Sequence, residues 1–122
     1  MGSDPIFVPI ALLACVAATL FHHIHNAEFL DHYPNMPTWL SPLRVYAAWS
    51  AATAIGVIGY WSLRRGYKTS GLALLLAYGC YGLDGLAHYA LAPMSAHSAT
   101  MNVTIWLEAV TAVALLTTLA RQ

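Results

Sequence analysis

The stretch whose reading decides the fold is IFVPIALLACVAATLFHHIHNAEFLDHY, from Ile6 to Tyr33. No charged residue occurs between Ile6 and Phe21, and the run passes without a break into His22-His23-Ile24-His25-Asn26-Ala27-Glu28-Phe29-Leu30-Asp31-His32. One helix therefore joins a membrane-grade apolar segment to a set of ligand-type side chains. On a wheel of 100° per residue, His25, Glu28 and His32 fall within a sector of roughly 60°. His22 lies about 60° to one side of that group and Asp31 about 60° to the other. His23 points nearly the opposite way and reads as an interfacial histidine that caps the helix end.

The rest of the chain repeats the apolar pattern. Residues AVILMFWYC make up 59% of the 122 positions and only 8% are charged, with a mean hydropathy of +0.60. These values lie outside the range of an ordinary soluble domain. Four apolar segments, at about 6–30, 43–63, 71–92 and 99–119, are each long enough to cross a hydrocarbon core of roughly 30 Å at 1.5 Å per residue. The expected fold is all-α: one transmembrane domain over 1–122, a polytopic four-helix bundle running up-down-up-down, with helices at about 5–33, 42–64, 70–92 and 97–120.

Arg64, Arg65 and Lys68 stand between segments two and three, and Arg121 ends segment four. The positive-inside rule makes that side cytoplasmic and puts both termini there. A bacterial inner membrane is the expected location, with the opposite ends of the helices in its periplasmic half. No Lys or Arg precedes the first apolar run, as a signal-peptide n-region would require. Cys15 and Cys80 fall inside spans and read as small apolar side chains, so no disulfide framework is implied.

Local signals fix the ends. Pro5 suits a first turn, and Pro34 pushes Tyr33 out of helical geometry. Ser41 and Pro42 read as N-cap and first residue of segment two. Arg44, the only basic residue on the exterior side, either snorkels outwards or pairs with an acid at the end of segment one. In segment three, Gly79, Gly82 and Gly85 make a smooth strip, while Tyr81, Asp84 and His88 share a face. In segment four, His97, Met101, Thr104 and Glu108 share another. Tyr81, Met101 and Thr104 read as packing. His32-Tyr33 and His88-Tyr89 form a weak internal echo of two hairpins.

With alternating helix directions, all six histidines and four of the five acids fall in the exterior half. An ionisable group in a span costs a few kcal/mol and normally faces a partner, a cavity or a metal. Imidazole with carboxylate suits zinc, iron or copper, and there are enough ligands for two ions. The expected metal ligands are His22, His25, Glu28, His32, Asp84, His88 and His97. Glu28 and Asp84 bridge or ligate, and Glu108, the deepest acid, is the candidate general acid or base together with them.

Two resemblances attach to these residues. His25-Asn26-Ala27-Glu28-Phe29, closing a first membrane helix before a Pro/Trp loop, resembles the HXXEE membrane proteins through His25-x-x-Glu28, with Phe29 where that family has its second acid. It implies a four-segment architecture. Asp84-x3-His88 followed by His97 is similar to the Asp-x3-His and His ligand group of membrane copper monooxygenases, which implies a metal at those three residues.

The reading that follows is a membrane metalloenzyme, hydrolytic or oxidative, acting on a lipid-like or other hydrophobic small molecule, since no soluble domain is there to hold a polar one. Two alternatives stay open. One is a haem electron-transfer bundle with His25 and His88 as axial ligands. The other is a metal-free acid–base isomerase of an isoprenoid or sterol-like lipid, in which His25 with Glu28 and Asp84 with Glu108 shuttle a proton. A homo-oligomer is also open. With no phosphate loop and no basic groove, nucleotide and nucleic-acid partners are not expected.

Overall fold

The computed structural model describes residues 6–122, so the expected helix start at Pro5 lies outside the described residues. Five α-helices follow in order: α1 (Phe7–Glu28), α2 (Pro42–Arg64), α3 (Lys68–Tyr81), α4 (His88–Leu91) and α5 (Ala99–Leu119), with no strand among the described residues. α3 and α4 are two parts of one broken rod, Lys68–Leu91, so the described residues form four rods. Three of them, α1, the broken rod and α5, are long and apolar enough to cross a membrane by length and composition. α2 has the length, at 23 residues, but not the apolarity. Its Arg44, Tyr46, Ser50, Thr53, Tyr60 and Ser62 dilute the segment that the sequence reading counted as a fourth apolar span.

α1 ends earlier than Tyr33. The Phe29 N–H still donates to the His25 carbonyl at 3.0 Å, but the chain then tightens into a 3₁₀ turn over Leu30–His32. Tyr33 is extended, at φ −75° and ψ 128°, as a residue before proline must be. The face of α1 therefore cannot be extrapolated from His25 to His32. In the third rod the α-helix stops at Tyr81, and Asp84–Ala87 forms a second 3₁₀ turn before α4. Gly82 and Gly85, poor helix formers, sit at this break.

The ends of α2 are well defined. Ser41 accepts from the Arg44 N–H and Pro42 occupies the first turn. At the other end Gly66 takes φ +88°, and Gly66 and Tyr67 N–H groups close on the Leu63 and Ser62 carbonyls at 3.1 and 3.0 Å. This is the left-handed helix stop that glycine makes without strain. It turns the chain so sharply that α3 lies directly on α2: a Cβ at Gly71 would strike the Leu63 backbone. α1 packs against α2 and α5, and α3 packs against α2 and α5.

The interior has two zones. Val8, Leu12, Cys15, Leu75, Ala112, Leu115 and Leu119 form a dry apolar core. Thr19 marks its edge, receiving the Trp49 indole N–H at 3.1 Å and lying 3.2 Å from the Tyr78 hydroxyl. Beyond Thr19 the buried polar residues His22, His23, Asn26, His88, His97, Thr104 and Glu108 share the interior with apolar ones such as Ile105 and Met101.

Candidate metal centre

The polar zone is built from α1, the broken third rod and α5. On α1 the buried residues include Cys15, Thr19, His22, His23 and Asn26. α1 is covered by two neighbours, so its buried arc is wide enough to take adjacent residues such as His22 and His23. Both are almost fully buried, at 2% and 5% exposure. The interfacial role expected for His23 is thus corrected: it sits at the centre.

Hydrogen bonds fix how these imidazoles present themselves. His23 Nδ1 is 2.8 Å from the Thr19 carbonyl, which can only accept, so this nitrogen carries the proton. Its Nε2 is then the acceptor and meets the Tyr81 hydroxyl at 2.7 Å. Thr104 gives its hydroxyl proton to the Met101 carbonyl at 3.0 Å and offers His22 Nδ1 an acceptor at 3.4 Å. The His22 Nε2 lone pair therefore faces the other way, towards Glu108 Oε2 at 3.8 Å. Tethering one ring nitrogen to an oxygen so that the other presents its lone pair is how metal-binding imidazoles are oriented.

Glu108 is completely buried, and neither of its carboxyl oxygens has a hydrogen-bond partner. Its Oε1 lies 3.7 Å from His23 Nδ1, and its Oε2 is pressed against Gly85, where a Cβ would run into it. Asp84 Oδ2 lies 3.9 Å from His23 Nε2, its side chain 44% exposed at the mouth of the cluster. His23, Asp84 and Glu108 each offer an atom within 4.8 Å of the other two. Two ligand atoms each about 2.1 Å from one ion lie roughly 3–4 Å apart. The His22 Nε2–Glu108 and His23 Nε2–Asp84 separations are too long for hydrogen bonds and fit ligands of a shared cation, whereas His23 Nδ1, which carries its proton, is not available as a ligand.

The other expected residues divide. His88 belongs to the cluster: its ring is 5.2 Å from that of His22, Asn26 Nδ2 donates to its Nε2 at 3.0 Å, and its Nδ1 is buried without a partner. His97 is buried 6.0 Å from His88, with Nδ1 donating to the Pro93 carbonyl at 3.0 Å and Nε2 buried without a partner. His25, Glu28 and His32 lie outside. His25 is half-buried and bonded to the Tyr33 hydroxyl at 2.9 Å. Glu28 is exposed and accepts from the Tyr46 hydroxyl at 2.6 Å, and His32 is exposed. The helical face chosen by counting ligand-type residues is the outer one.

Tyr33, Tyr81, Asn26 and Thr104 complete the site and were not expected in it. Tyr33 is buried against the His88 ring at 4.8 Å, and burial pushes its phenol up to about 12, so it is a neutral hydroxyl at ordinary pH. Thr19 carries the signal that finds the inner face: a polar residue within an apolar span marks the side away from lipid. Stepping from Cys15 through Thr19 and His22 to Asn26 stays on that side.

A half-open cavity of about 330 Å³ adjoins the cluster. His22, His23, Asp84 and His88 lie on one side of it, and Met36, Trp39, Leu40, Arg44, Ala48 and Leu91 form much of the rest. Comparison with protein-family models, with curated proteins and with solved structures finds no match.

Proposed function

We propose that this chain is an integral membrane metalloprotein, its rods forming an up-down-up-down four-helix bundle with both termini in the cytoplasm of a bacterial cell. The metal centre lies in the periplasmic half of the inner membrane. His22, His23, Asp84 and Glu108 hold a transition metal, with His88 and His97 beside them and available to a second ion. Two imidazoles with two carboxylates suit zinc, iron or copper.

One observation carries this reading. His22 Nε2 and Glu108 Oε2 stand 3.8 Å apart between two buried side chains, and neither Glu108 oxygen has a hydrogen-bond partner. That separation is too long for a hydrogen bond and is the spacing of two ligands of one ion, which supports a cation between them. The bound metal would activate water for hydrolysis or dioxygen for oxidation. Asp84, at the mouth beside the cavity, is the group placed to exchange protons with a substrate. The apolar cavity walls support a hydrophobic small molecule as that substrate.

A metal-free acid–base site has one observation in its favour. Both His23 nitrogens are already satisfied, by the Thr19 carbonyl and the Tyr81 hydroxyl, so a metal must displace Tyr81 from Nε2. The haem alternative has less support, because buried carboxylates have no part in haem ligation.

Elemental analysis of protein purified without a histidine tag tests the proposal. One or two equivalents of zinc, iron or copper are expected, lost in His22→Ala and Glu108→Gln and retained in His25→Ala and His32→Ala. Wild-type protein that stays metal-free after reconstitution, with no Soret band, would leave the acid–base site.

A further inference from the structure

We infer that the cavity beside the cluster binds a single-chain amphiphile with a carboxylate head, held at Arg44. The inference rests on the reading above for the chemistry at the cavity floor, but the recognition it describes is separate. Arg44 stands in the first turn of α2, where its Nη1 donates to the Trp39 carbonyl at 2.7 Å and its guanidinium lies 6.0 Å from the Trp39 ring centroid. Of the two alternatives expected for it, the acid at the end of α1 is not its partner, and its reach back to the loop before α2 is the outward course. Among the described residues no carboxylate pairs with Arg44, and Glu28 is engaged by Tyr46 instead.

A guanidinium fixed by one edge, with no acidic partner, presents its remaining donors to an anion, and its planar fork matches a carboxylate. It is the only Lys or Arg on the cavity lining. The walls between Arg44 and the cluster are hydrocarbon and aromatic, from Met36, Trp39, Leu40, Val45, Ala48 and Leu91. Arg44 and Ala48 are one helical turn apart, so the wall descends about 6 Å from the cation along α2. At roughly 30 Å³ for each atom-sized unit, 330 Å³ holds on the order of ten heavy atoms. A sterol or a whole phospholipid would leave most of its bulk outside this half-open cavity. A medium-chain acid of roughly eight to twelve carbons fits, with its carboxylate at the interface and its chain reaching down to the His23–Asp84 side.

Decanoate is the probe, titrated calorimetrically into wild-type protein in phosphatidylcholine nanodiscs with empty nanodiscs subtracted. Saturable binding is expected, weakened at least tenfold in Arg44→Gln, partly restored in Arg44→Lys and abolished in Ala48→Trp, which fills the cavity from an exposed wall position. Decanol should bind more weakly than decanoate and be indifferent to Arg44→Gln. Unchanged decanoate affinity in Arg44→Gln, or its survival in Ala48→Trp with helicity intact, would overturn the inference, as would tighter binding of decyl phosphate than of decanoate. Metal content measured on the same samples separates the two proposals. Arg44-dependent decanoate binding by metal-free protein leaves this inference standing without the metal centre. Metal-loaded protein that ignores decanoate does the reverse.

Discussion

Replacing Glu108 by leucine should stabilise the metal-free protein. Glu108 is fully buried and both its oxygens lack hydrogen bonds, so its carboxyl group bears a desolvation cost without compensation. An unsatisfied buried polar group costs about 1–3 kcal/mol, and leucine fills a similar volume without it. The lost contacts at 3.7 and 3.8 Å to His23 and His22 are too long to offset this. A gain of about 2 kcal/mol corresponds to a rise in Tm of roughly 6–10 °C for a chain of this size. The assay is thermal unfolding in detergent with excess chelator, followed by circular dichroism, and repeated with added metal. Wild-type protein should gain about 2.7 kcal/mol at a metal concentration 100 times its Kd, and Glu108→Leu should gain nothing. The variant is then the more stable protein without metal and the one that metal leaves unchanged. A loss of 3–5 kcal/mol in the chelated variant would refute the reasoning, since that is what breaking a paired buried network costs. Glu108 would then be a structural clasp.

Two further outcomes follow from the same geometry. Gly85→Ala places a Cβ against Glu108 Oε2 and within 3.5 Å of His22 Nε2, so it should weaken metal binding by more than tenfold while the helical circular dichroism stays, and unchanged affinity would count against the placement of Glu108. Tyr33 titrates near 12 rather than near 10 because it is buried, so its contribution to stability is complete below pH 10 and is lost as pH rises through 12. At about 1.36 kcal/mol per unit this amounts to roughly 2–3 kcal/mol, and alkaline unfolding should be less steep in Tyr33→Phe than in wild type.

The helical class was legible because apolar length is a one-dimensional property, and Pro34, Ser41 and Pro42 mark the ends of rods by local chemistry. The buried polar cluster was legible only in part. Asp84, His88, Glu108 and His22 could be named because ionisable residues in apolar segments are scarce. Which face of α1 turns inward could not be read by weighing ligand types. His25, Glu28 and His32 make the denser set, yet they point outward, and His23 points in. What decides the face is packing against two neighbouring rods, and its trace in the sequence is the small and polar series Cys15, Thr19, His22 and Asn26. The wheel also failed past Glu28, where a 3₁₀ turn changes the angle per residue before His32 is reached.

The break in the third rod fits the same account. A continuous α-helix from Lys68 to Leu91 would satisfy its own backbone throughout, and alanine at positions 82 and 85 would favour it. Instead glycines stand at both positions and the chain tightens into a 3₁₀ turn beside the Glu108 carboxylate. A Cβ at Gly85 and the carboxyl of Glu108 exclude each other, so the acid is accommodated at the expense of helix propensity. Three local preferences are given up within a few ångströms: helical continuity at Gly82–Ala87, hydrogen bonding at Glu108 and apolar filling at His22. Stability alone would be better served by leucine, alanine and an unbroken helix. Local rules failing together in a chain that otherwise obeys them are what a functional site produces, and this coincidence supports the metal centre proposed above.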